Sequence, residues 1–214
     1  MNISLGATHL PLTKVVTTTI RERIMNGDIA LGTRLVEGRL SEELGVSRMP
    51  VREALRELAA EGIVTIEPRR GASVTTFSEE QKRELVEVRA TLEALNARLA
   101  AKRHEPKHIA RLQKILEEGQ RLEGTEDASK IASMNSRFHE ALAKVSGNSV
   151  LQDMIRQLRD RTGLIFASVS RMRVRENWQE HAAILRAVID ADAELAALLA
   201  ARHVYNAAQL PQDQ

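Results

Sequence analysis

The chain has 214 residues, a formal net charge of +2 at pH 7 and no cysteine. Its length allows one large or two small domains, and the lack of cysteine excludes disulfides and thiolate metal sites. Aromatic residues make up only 2% of the chain, which argues against stacking on single-stranded nucleic acid. No apolar run approaches the ~20 residues that span a membrane, and no secretion signal is visible near Met1. We therefore expect a cytoplasmic protein with no membrane partner.

The N-terminal third of the chain predicts a loose arm at residues 1–10 followed by three helices. The first helix covers residues 13–26 and ends at Gly27, and residues 29–34 read as a short connection. A short second helix is followed by a tight turn at Gly45. The third helix begins at Ser47, and one of its faces is apolar, with side chains spaced by four and three residues: Val51, Leu55 and Leu58.

A row of arginines marks a different face of this third helix. Arg48, Arg52 and Arg56 recur every fourth residue. A short helix, a glycine turn and a second helix with such a row is how a helix-turn-helix presents a reading helix to the DNA major groove. The alternative is an ordinary helical hairpin whose charged face is solvated, with Glu53 and Glu57 pairing locally with the arginines.

The residues after the third helix predict a β-hairpin. Residues 63–67 (IVTIE) and 72–76 (ASVTT) are rich in β-branched side chains, and Pro68 to Gly71 forms the turn between them. A basic hairpin directly after a helix-turn-helix is a wing. Gly71 at its tip allows close approach of the backbone to a phosphate or to the minor groove.

Arg34-Leu35, followed by LSEELGVSRMPVREALRELAAEGIV and PRRGASV, resembles the winged helix-turn-helix of the GntR family of bacterial transcription regulators. The resemblance covers residues 10–76. It implies that Arg48 and Arg52 reach guanine edges and phosphates, and it extends the DNA-contacting set to further residues: Arg39, Ser47, Arg69, Arg70 and Gly71. Relatives often carry an arginine seven residues before the turn glycine, where this chain has Gly38.

Everything after Ser78 reads as helix. Ser78 and Gln81 form a capping-box start. The expected helices cover residues 79–103, 106–122, 127–145, 148–171, 176–189 and about 193–208, with a break at residues 123–125. The first of them carries an apolar stripe: Leu85, Val88, Leu92, Leu95 and Leu99. The predicted fold is therefore mainly α, with an N-terminal winged helix-turn-helix and a C-terminal six-helix antiparallel bundle over residues 79–208.

Three histidines and an asparagine fall on inner faces of the predicted bundle. Asn135 and His139 lie four residues apart, and His181 belongs to an apolar stripe. His203 follows the turn before the last helix at a distance that brings it to the height of His181 on an antiparallel neighbour. Such a group could bind a divalent metal, with zinc or nickel as the leading candidates. Each histidine alone is more often a satisfied core residue.

Arg89 is the other unusual residue of the bundle, because it lies beside the apolar stripe of the first helix. One interpretation is an ion pair with Glu93, four residues later. The other is an anchor for a small carboxylate, since a guanidinium binds a carboxylate in a bidentate geometry.

The segments NSRFHEAL, EHAAILRAVIDAD and ARHV resemble the ligand-sensing FCD domain of the FadR-type branch of GntR regulators. Six helices rather than seven resemble its VanR-like subgroup. The family's metal ligands, an Asp four residues before a His and two further His, then fall on Asn135, His139, His181 and His203. The family's Arg-x-x-x-Glu pair falls on Arg89, and the resemblance implies an organic-acid effector.

The predicted function is that of a bacterial transcription regulator, a repressor rather than an enzyme, which binds double-stranded operator DNA as a homodimer. Two other classes remain open at this point. A metal-dependent hydrolase or lyase could use the histidines, but no carboxylate stands between the ligands as in an HExxH motif. An architectural DNA-binding protein without a ligand would have no use for buried imidazoles.

Overall fold

The computed structural model describes residues 11–103, 105–122, 127–170 and 173–209. The chain separates into two compact units, Met1–Thr76 and Phe77–Gln214. The arm expected at residues 1–10 and the helix break expected at residues 123–125 lie outside the described residues.

The first unit combines helices with a small antiparallel sheet. Its elements are α1 (Leu12–Met25), β1 (Arg34–Leu35), α2 (Glu37–Leu44), α3 (Arg48–Ala60), β2 (Val64–Glu67) and β3 (Gly71–Val74). β3 is the central strand, in the order β1-β3-β2. The predicted hairpin is thus β2 and β3, whereas β1 was expected to be part of an irregular connection.

The turn between α2 and α3 depends on Gly45. Its φ of 63° and ψ of 34° place it in the left-handed region, where glycine carries no steric penalty. The following N–H, from Val46, reaches back to the carbonyl of Ser41 at 3.0 Å. This sharp stop lets α3 begin only three residues later, with Val51 and Leu58 fully buried beneath it, as the apolar spacing predicted.

The carboxylates of α3 bond to α1 and not to the arginine row. Glu57 accepts a hydrogen bond from Thr17 at 2.8 Å, and Glu53 accepts one from Thr13 at 2.9 Å. The local neutralisation of the arginines by Glu53 and Glu57 is therefore not what occurs. Glu53 and Glu57 therefore face α1, and Arg48, Arg52 and Arg56 stay exposed.

The second unit is helical throughout its described residues. It contains α4 (Glu79–Arg103), α5 (Pro106–Gln120), α6 (Ala128–Ser146), α7 (Ser149–Ser170), α8 (Val174–Ile189) and α9 (Ala193–Ala208). The predicted capping box is confirmed. Ser78 N–H donates to Gln81 at 3.0 Å, and the Ser78 hydroxyl accepts from the Gln81 N–H at 3.1 Å. Among the described helices, none is both long and apolar enough to cross a bilayer.

α4 is the central helix of this unit, because it packs along α9 and also contacts α6, α7 and α8. Its buried face is not the predicted apolar stripe of Leu85, Val88, Leu92, Leu95 and Leu99, called here the leucine stripe. The fully buried apolar side chains of α4 are small, apart from Val86, and four of them are alanines: Ala90, Ala97, Ala100 and Ala101. In the stripe, Val88 is 50% exposed and Leu95 is 39% exposed. Small side chains allow helices to approach closely, so α4 meets the bundle through alanine and leaves its larger apolar residues at the edge.

Candidate functional site

The exposed face of α3 presents the predicted reading arginines. Arg52 is 47% exposed, and its guanidinium grips the carboxylate of Glu37 on α2 with three N···O distances of 2.8 to 3.1 Å. Arg48 lies across α2, since its guanidinium is 3.5 Å from where a Cβ on Gly38 would stand. The guanidinium of Arg48 therefore lies against α2 beside Gly38.

Glu37 is a carboxylate of α2 that lies next to Arg52, the middle arginine of the row on α3. The hydrogen bond from Arg52 is the main reason that its pKa is lowered, and the charges of Arg48 and Arg56 lower it further. Sequence reasoning missed this carboxylate, because its partner lies fifteen residues away on another helix. This carboxylate therefore holds the guanidinium of Arg52 against α2.

Two further predicted contacts flank this row. Ser47 is exposed at the N-cap of α3 without making a capping hydrogen bond, so its hydroxyl is not used to start the helix. Arg39 is 81% exposed and pairs with Glu43 at 2.9 Å. Glu43 also accepts a hydrogen bond from Arg23 at 3.0 Å, so Arg39 shares its carboxylate with α1.

The wing carries cations at its turn. Arg69 adopts a φ of 65°, unusual for a residue with a side chain, and Gly71 adopts a φ of 88°. Arg70 is 82% exposed and lies 3.3 Å from Glu67. The structure adds Arg34 of β1, whose guanidinium lies 3.8 Å from where a Cβ on Gly71 would stand. Register with β3 puts Arg34 there, and a two-residue strand gives no local sequence signal for it.

The second site is the histidine cluster, which the structure brings together as the sequence predicted. The candidate ligand atoms of His139 on α6, His181 on α8 and His203 on α9 all lie within 4.8 Å of one another, and all three side chains are buried. The Nε2 atoms of His181 and His203 are 3.2 Å apart. Two nitrogens bound at 2.0–2.1 Å to a tetrahedral metal would be separated by about 3.3 Å.

The protonation of these rings suits metal binding. Burial is the main cause that holds the pKa of His139 and of His181 well below the usual histidine value, and the charge of Arg159 lowers both further. Neutral imidazoles keep the lone pair that a metal needs. Both ring nitrogens of His139 and Nδ1 of His181 are buried without a hydrogen-bond partner among the described residues. A neutral imidazole has one nitrogen with a free lone pair, so one unsatisfied nitrogen on each of these two rings could bind a group that accepts it.

Glu180 is the carboxylate that orients His203. Its Oε2 lies 2.6 Å from Nδ1 of His203, while Asn206 and Arg173 each donate to Oε1 at 2.8 Å. Burial alone would raise the pKa of Glu180, but these hydrogen bonds outweigh it and lower the pKa. A carboxylate that accepts from Nδ1–H leaves Nε2 of the ring directed at His181.

The sequence did not predict this contact, and the contact leaves unchanged the expectation that no carboxylate stands between the ligands as in an HExxH motif. Glu180 does point away from His181 on its own helix, as a helical neighbour must. It reaches the histidine of the next helix instead, a contact that spacing along α8 could not reveal. Asn135, the fourth predicted ligand, lies on α6 with a half-buried side chain.

Arg89 is buried on the inner side of α4. Its Nη1 donates to the hydroxyl of Thr162 on α7 at 2.6 Å, its Nε lies 3.8 Å from Glu93, and its guanidinium stacks over Phe166 at 4.9 Å. Desolvation is the main reason that its pKa falls to about 10. It therefore stays charged at neutral pH.

The main partner of Glu93 is Arg159 of α7, whose Nε and Nη2 both lie 2.9 Å from Oε1. The same oxygen is 3.9 Å from Nδ1 of His139, so the arginines and the histidine cluster form one buried region. Within these three charged groups, two arginines face one carboxylate.

Two members of this region were missed by sequence reasoning. Arg159 follows the buried Ile155 by four residues, so its position on an inner face was readable. Asn96 follows Glu93 by three residues and is fully buried, with neither amide atom hydrogen-bonded to a described residue. Arg89, Glu93 and Asn96 thus form a polar stripe on the buried side of α4.

A winged helix with an exposed arginine row, followed by a helical domain with a buried polar cluster, is the arrangement of a two-domain transcription regulator. The family model "Bacterial regulatory proteins, gntR family" matches residues 12–74, and the model "FCD domain" matches residues 84–206. The chain therefore belongs to the GntR family of regulators, in the branch that carries an FCD domain. It is a DNA-binding regulator and not an enzyme.

Named relatives agree with this assignment. The uncharacterized HTH-type transcriptional regulator YdhC of Bacillus subtilis is 33% identical over 66% of this chain and 63% of its own length. The HTH-type transcriptional regulator McbR of Escherichia coli is 29% identical over 87% of this chain and 86% of its own. The gluconate operon transcriptional repressor of Bacillus subtilis is 32% identical over 78% of this chain and 68% of its own.

The solved structure of E. coli McbR/YncC is similar over the whole fold. It superposes with a TM-score of 0.78 at 27% identity, and the match covers 92% of this chain and 95% of that one.

Proposed function

We propose that this chain is a repressor whose binding to a pseudo-palindromic operator is controlled by a small carboxylate held in the FCD domain, with the help of a bound divalent metal. Its place of action would be the bacterial cytoplasm, where the operator is. The observation that carries the proposal is the buried cluster of three histidines next to the buried Arg89 and the half-buried Arg159. Its assignment to the VanR-like subgroup remains a prediction.

The DNA-reading part of the proposal rests on the arginine row. Arg52 and Arg48 stand on the exposed face of α3, and a guanidinium can bind guanine O6 and N7 in a bidentate manner. The wing residues Arg69 to Gly71, with Arg34 beside them, would track phosphates or the minor groove. Exposed ion pairs are worth only about 0.2–1 kcal/mol, so the Arg52–Glu37 pair can be exchanged for a contact with DNA at little cost.

The operator is proposed to be two-fold symmetric because one winged domain reads only a short half-site. A homodimer would place two copies of α3 about one helical turn of DNA apart, roughly 34–36 Å. Any change in dimer geometry would then change how well both reading helices fit at once.

The metal would be held by His139, His181 and His203, with Asn135 as a neutral oxygen ligand, and zinc or nickel suits such a set. Bound there, it would supply a Lewis-acidic anchor for one end of the effector. Glu180 fixes the ring of His203 through Nδ1, as a carboxylate beside a ligating histidine commonly does.

The effector is proposed to be an anion because of the charges around it. Arg89 and Arg159 are balanced only in part by Glu93, and Nε of Arg89 is buried without a hydrogen-bond partner among the described residues. A carboxylate would satisfy that donor in the bidentate geometry that arginine favours. The effector can release DNA only to the extent that it binds the two dimer states differently.

The test has two parts on the purified full-length chain. Selection from random duplex DNA, followed by footprinting, should return an inverted repeat. Thermal unfolding with zinc or nickel, alone and with a panel of organic acids, should show stabilisation by metal and further stabilisation by at least one acid, which also lowers operator affinity. Enrichment of sequences that share no inverted repeat would contradict the operator proposal. An unfolding temperature that no metal and no acid changes would contradict the effector proposal.

A further inference from the structure

Met49 has the most exposed large apolar side chain among the described residues of the first unit, with 59% of its surface open. It occupies the second position of α3. A single exposed apolar residue is ordinary on a protein surface, but this one lies within a charged face. Every other exposed side chain of α3 as far as Leu58 is charged, and these are Arg48, Arg52, Glu53 and Arg56.

The geometry of α3 directs Met49 away from the core of the first unit. The fully buried Leu58 follows it by nine residues, about two and a half turns at 3.6 residues per turn, and so lies on the opposite side of the helix. On one flank of the exposed face Arg52 pairs with Glu37 of α2, and on the other flank Glu53 bonds to α1. Met49 therefore stands near the centre of the face that α3 turns outward.

The DNA major groove offers one apolar group to such a side chain, the C5-methyl group of thymine. The other base edges in the groove are hydrogen-bond donors and acceptors, and a thioether sulfur is only a weak acceptor. Methionine is also unbranched and flexible, so it adapts to an irregular apolar surface. An outward methionine among arginines thus matches a thymine that lies near guanines.

We propose that Met49 is a specificity-determining residue that packs against the C5-methyl group of a thymine in each half-site of the operator. This inference rests on the proposed reading of DNA by α3 and adds a base to it. Met49 precedes Arg52 by three residues, about 4.5 Å along the helix axis, and successive base pairs of DNA are about 3.4 Å apart. The thymine therefore lies about one or two base pairs from the base that Arg52 contacts.

Removal of one methyl group from the DNA tests this contact without any change in the protein. Each thymine of the operator that the full-length chain selects is replaced in turn by deoxyuridine, which lacks the C5-methyl group. Replacement of one particular thymine in both half-sites should raise the dissociation constant roughly 15-fold, equivalent to about 1.6 kcal/mol, because one methyl group per half-site is no longer removed from water. Fluorescence anisotropy measures this penalty, which should be the same at two salt concentrations because an apolar contact releases no counterion.

A cycle of protein and DNA changes identifies Met49 as the residue that contacts the methyl group. In Met49→Ala the same deoxyuridine replacement should raise the dissociation constant less than about twofold, since the apolar partner is already gone. Met49→Leu keeps an apolar side chain and should retain a penalty of at least about fourfold. The unfolding temperature of both variants should match that of the parent, because the substituted side chain is exposed.

Arg70→Ala is the matched control for this cycle. It removes an exposed side chain of the wing, outside α3. This variant should bind the operator more weakly than the parent and still show the full deoxyuridine penalty, because loss of a phosphate contact lowers affinity uniformly across sequences.

The outcomes separate this inference from the operator proposal. If the parent selects an operator and no thymine methyl group affects its affinity, the operator proposal stands and the role of Met49 is wrong. An equal penalty in the parent and in Met49→Ala also overturns that role, because another group then contacts the methyl. A parent that selects no duplex sequence overturns the operator proposal, and this inference with it.

Discussion

The exposed face of α3, which we propose to read DNA, and the buried cluster of the helical unit both carry arginine, under opposite conditions. On α3 the arginines are exposed, and most acidic neighbours are drawn away to α1. In the helical unit Arg89 and three histidines are buried, and several of their polar atoms have no described hydrogen-bond partner. Exposed ion pairs cost little free energy to rearrange, so an exposed arginine can exchange a carboxylate for another anionic partner. Each buried unsatisfied group costs about 1–3 kcal/mol, so the cluster gains from a resident ligand.

The largest expected effect is on the exposed face. Arg52→Ala should lower operator affinity at least about 30-fold, because a bidentate base contact worth about 1–3 kcal/mol is lost in each half-site. Fluorescence anisotropy at one fixed salt concentration measures it. Arg23→Ala, which likewise removes an arginine paired with a carboxylate of α2, is the matched control and should change affinity less than about threefold. If the two variants lower operator affinity equally, Arg52 makes no base contact of its own.

The buried cluster is broken by removing two ligands from different helices. His139→Ala combined with His203→Ala should abolish bound metal, measured by elemental analysis after dialysis against limiting zinc. It should also remove the stabilisation by zinc, which at 100 times the dissociation constant is about 2.7 kcal/mol. His108→Ala, a half-exposed histidine on α5, should keep both. Full metal content in the double variant would end the metal proposal.

The arginine next to the cluster separates ligand binding from DNA binding. Arg89→Lys should weaken binding of the stabilising organic acid roughly 10- to 100-fold, because a lysine cannot reproduce a bidentate contact, while operator affinity without effector stays within about threefold. Calorimetric titration measures the first quantity. Arg83→Lys, an exposed arginine of the same helix, is the control. If Arg89→Lys binds the organic acid as tightly as the parent, Arg89 only stabilises the fold through its hydrogen bond with Thr162.

Substitution of two carboxylates, one that contacts His203 and one that does not, tests whether the orientation of His203 matters for metal binding. Glu180→Gln should lower metal affinity about tenfold, at the low end for a carboxylate beside a ligating histidine, as measured by competition with a chromophoric chelator. Glu140→Gln is the control, because Glu140 adjoins His139 but is exposed. If both variants bind metal alike, the 2.6 Å contact of Glu180 has no part in metal binding.

The smallest expected effect lies in the wing. Arg70→Ala should weaken operator binding a few-fold and uniformly across sequences. It should also reduce the slope of log affinity against log salt by roughly two for a dimer, because one phosphate contact per copy is lost. An unchanged slope would place Arg70 away from the phosphates.

Sequence reasoning recovered the helices of the bundle to within two residues, because apolar periodicity, caps and glycine stops are local properties. The convergence of His181 and His203 was also readable, since both are counted from one tight turn. Glu180, Arg159 and Glu37 were not found as partners. Each contacts a residue on another helix, and no spacing along a single helix encodes such a contact.

The leucine stripe of α4 shows the limit most clearly. The spacing of Leu85, Val88, Leu92, Leu95 and Leu99 marks one apolar face of α4, yet α4 packs into its bundle through alanines on another face, because small side chains let α4 and α9 approach closely. The amino-acid order by itself determined which segments are helical, where the arginine row stands and which families the two halves belong to, since each of these is written in local spacing. Only the tertiary structure decided which face of α4 is covered and which carboxylate meets which cation, because packing distance between helices is a property of pairs of surfaces.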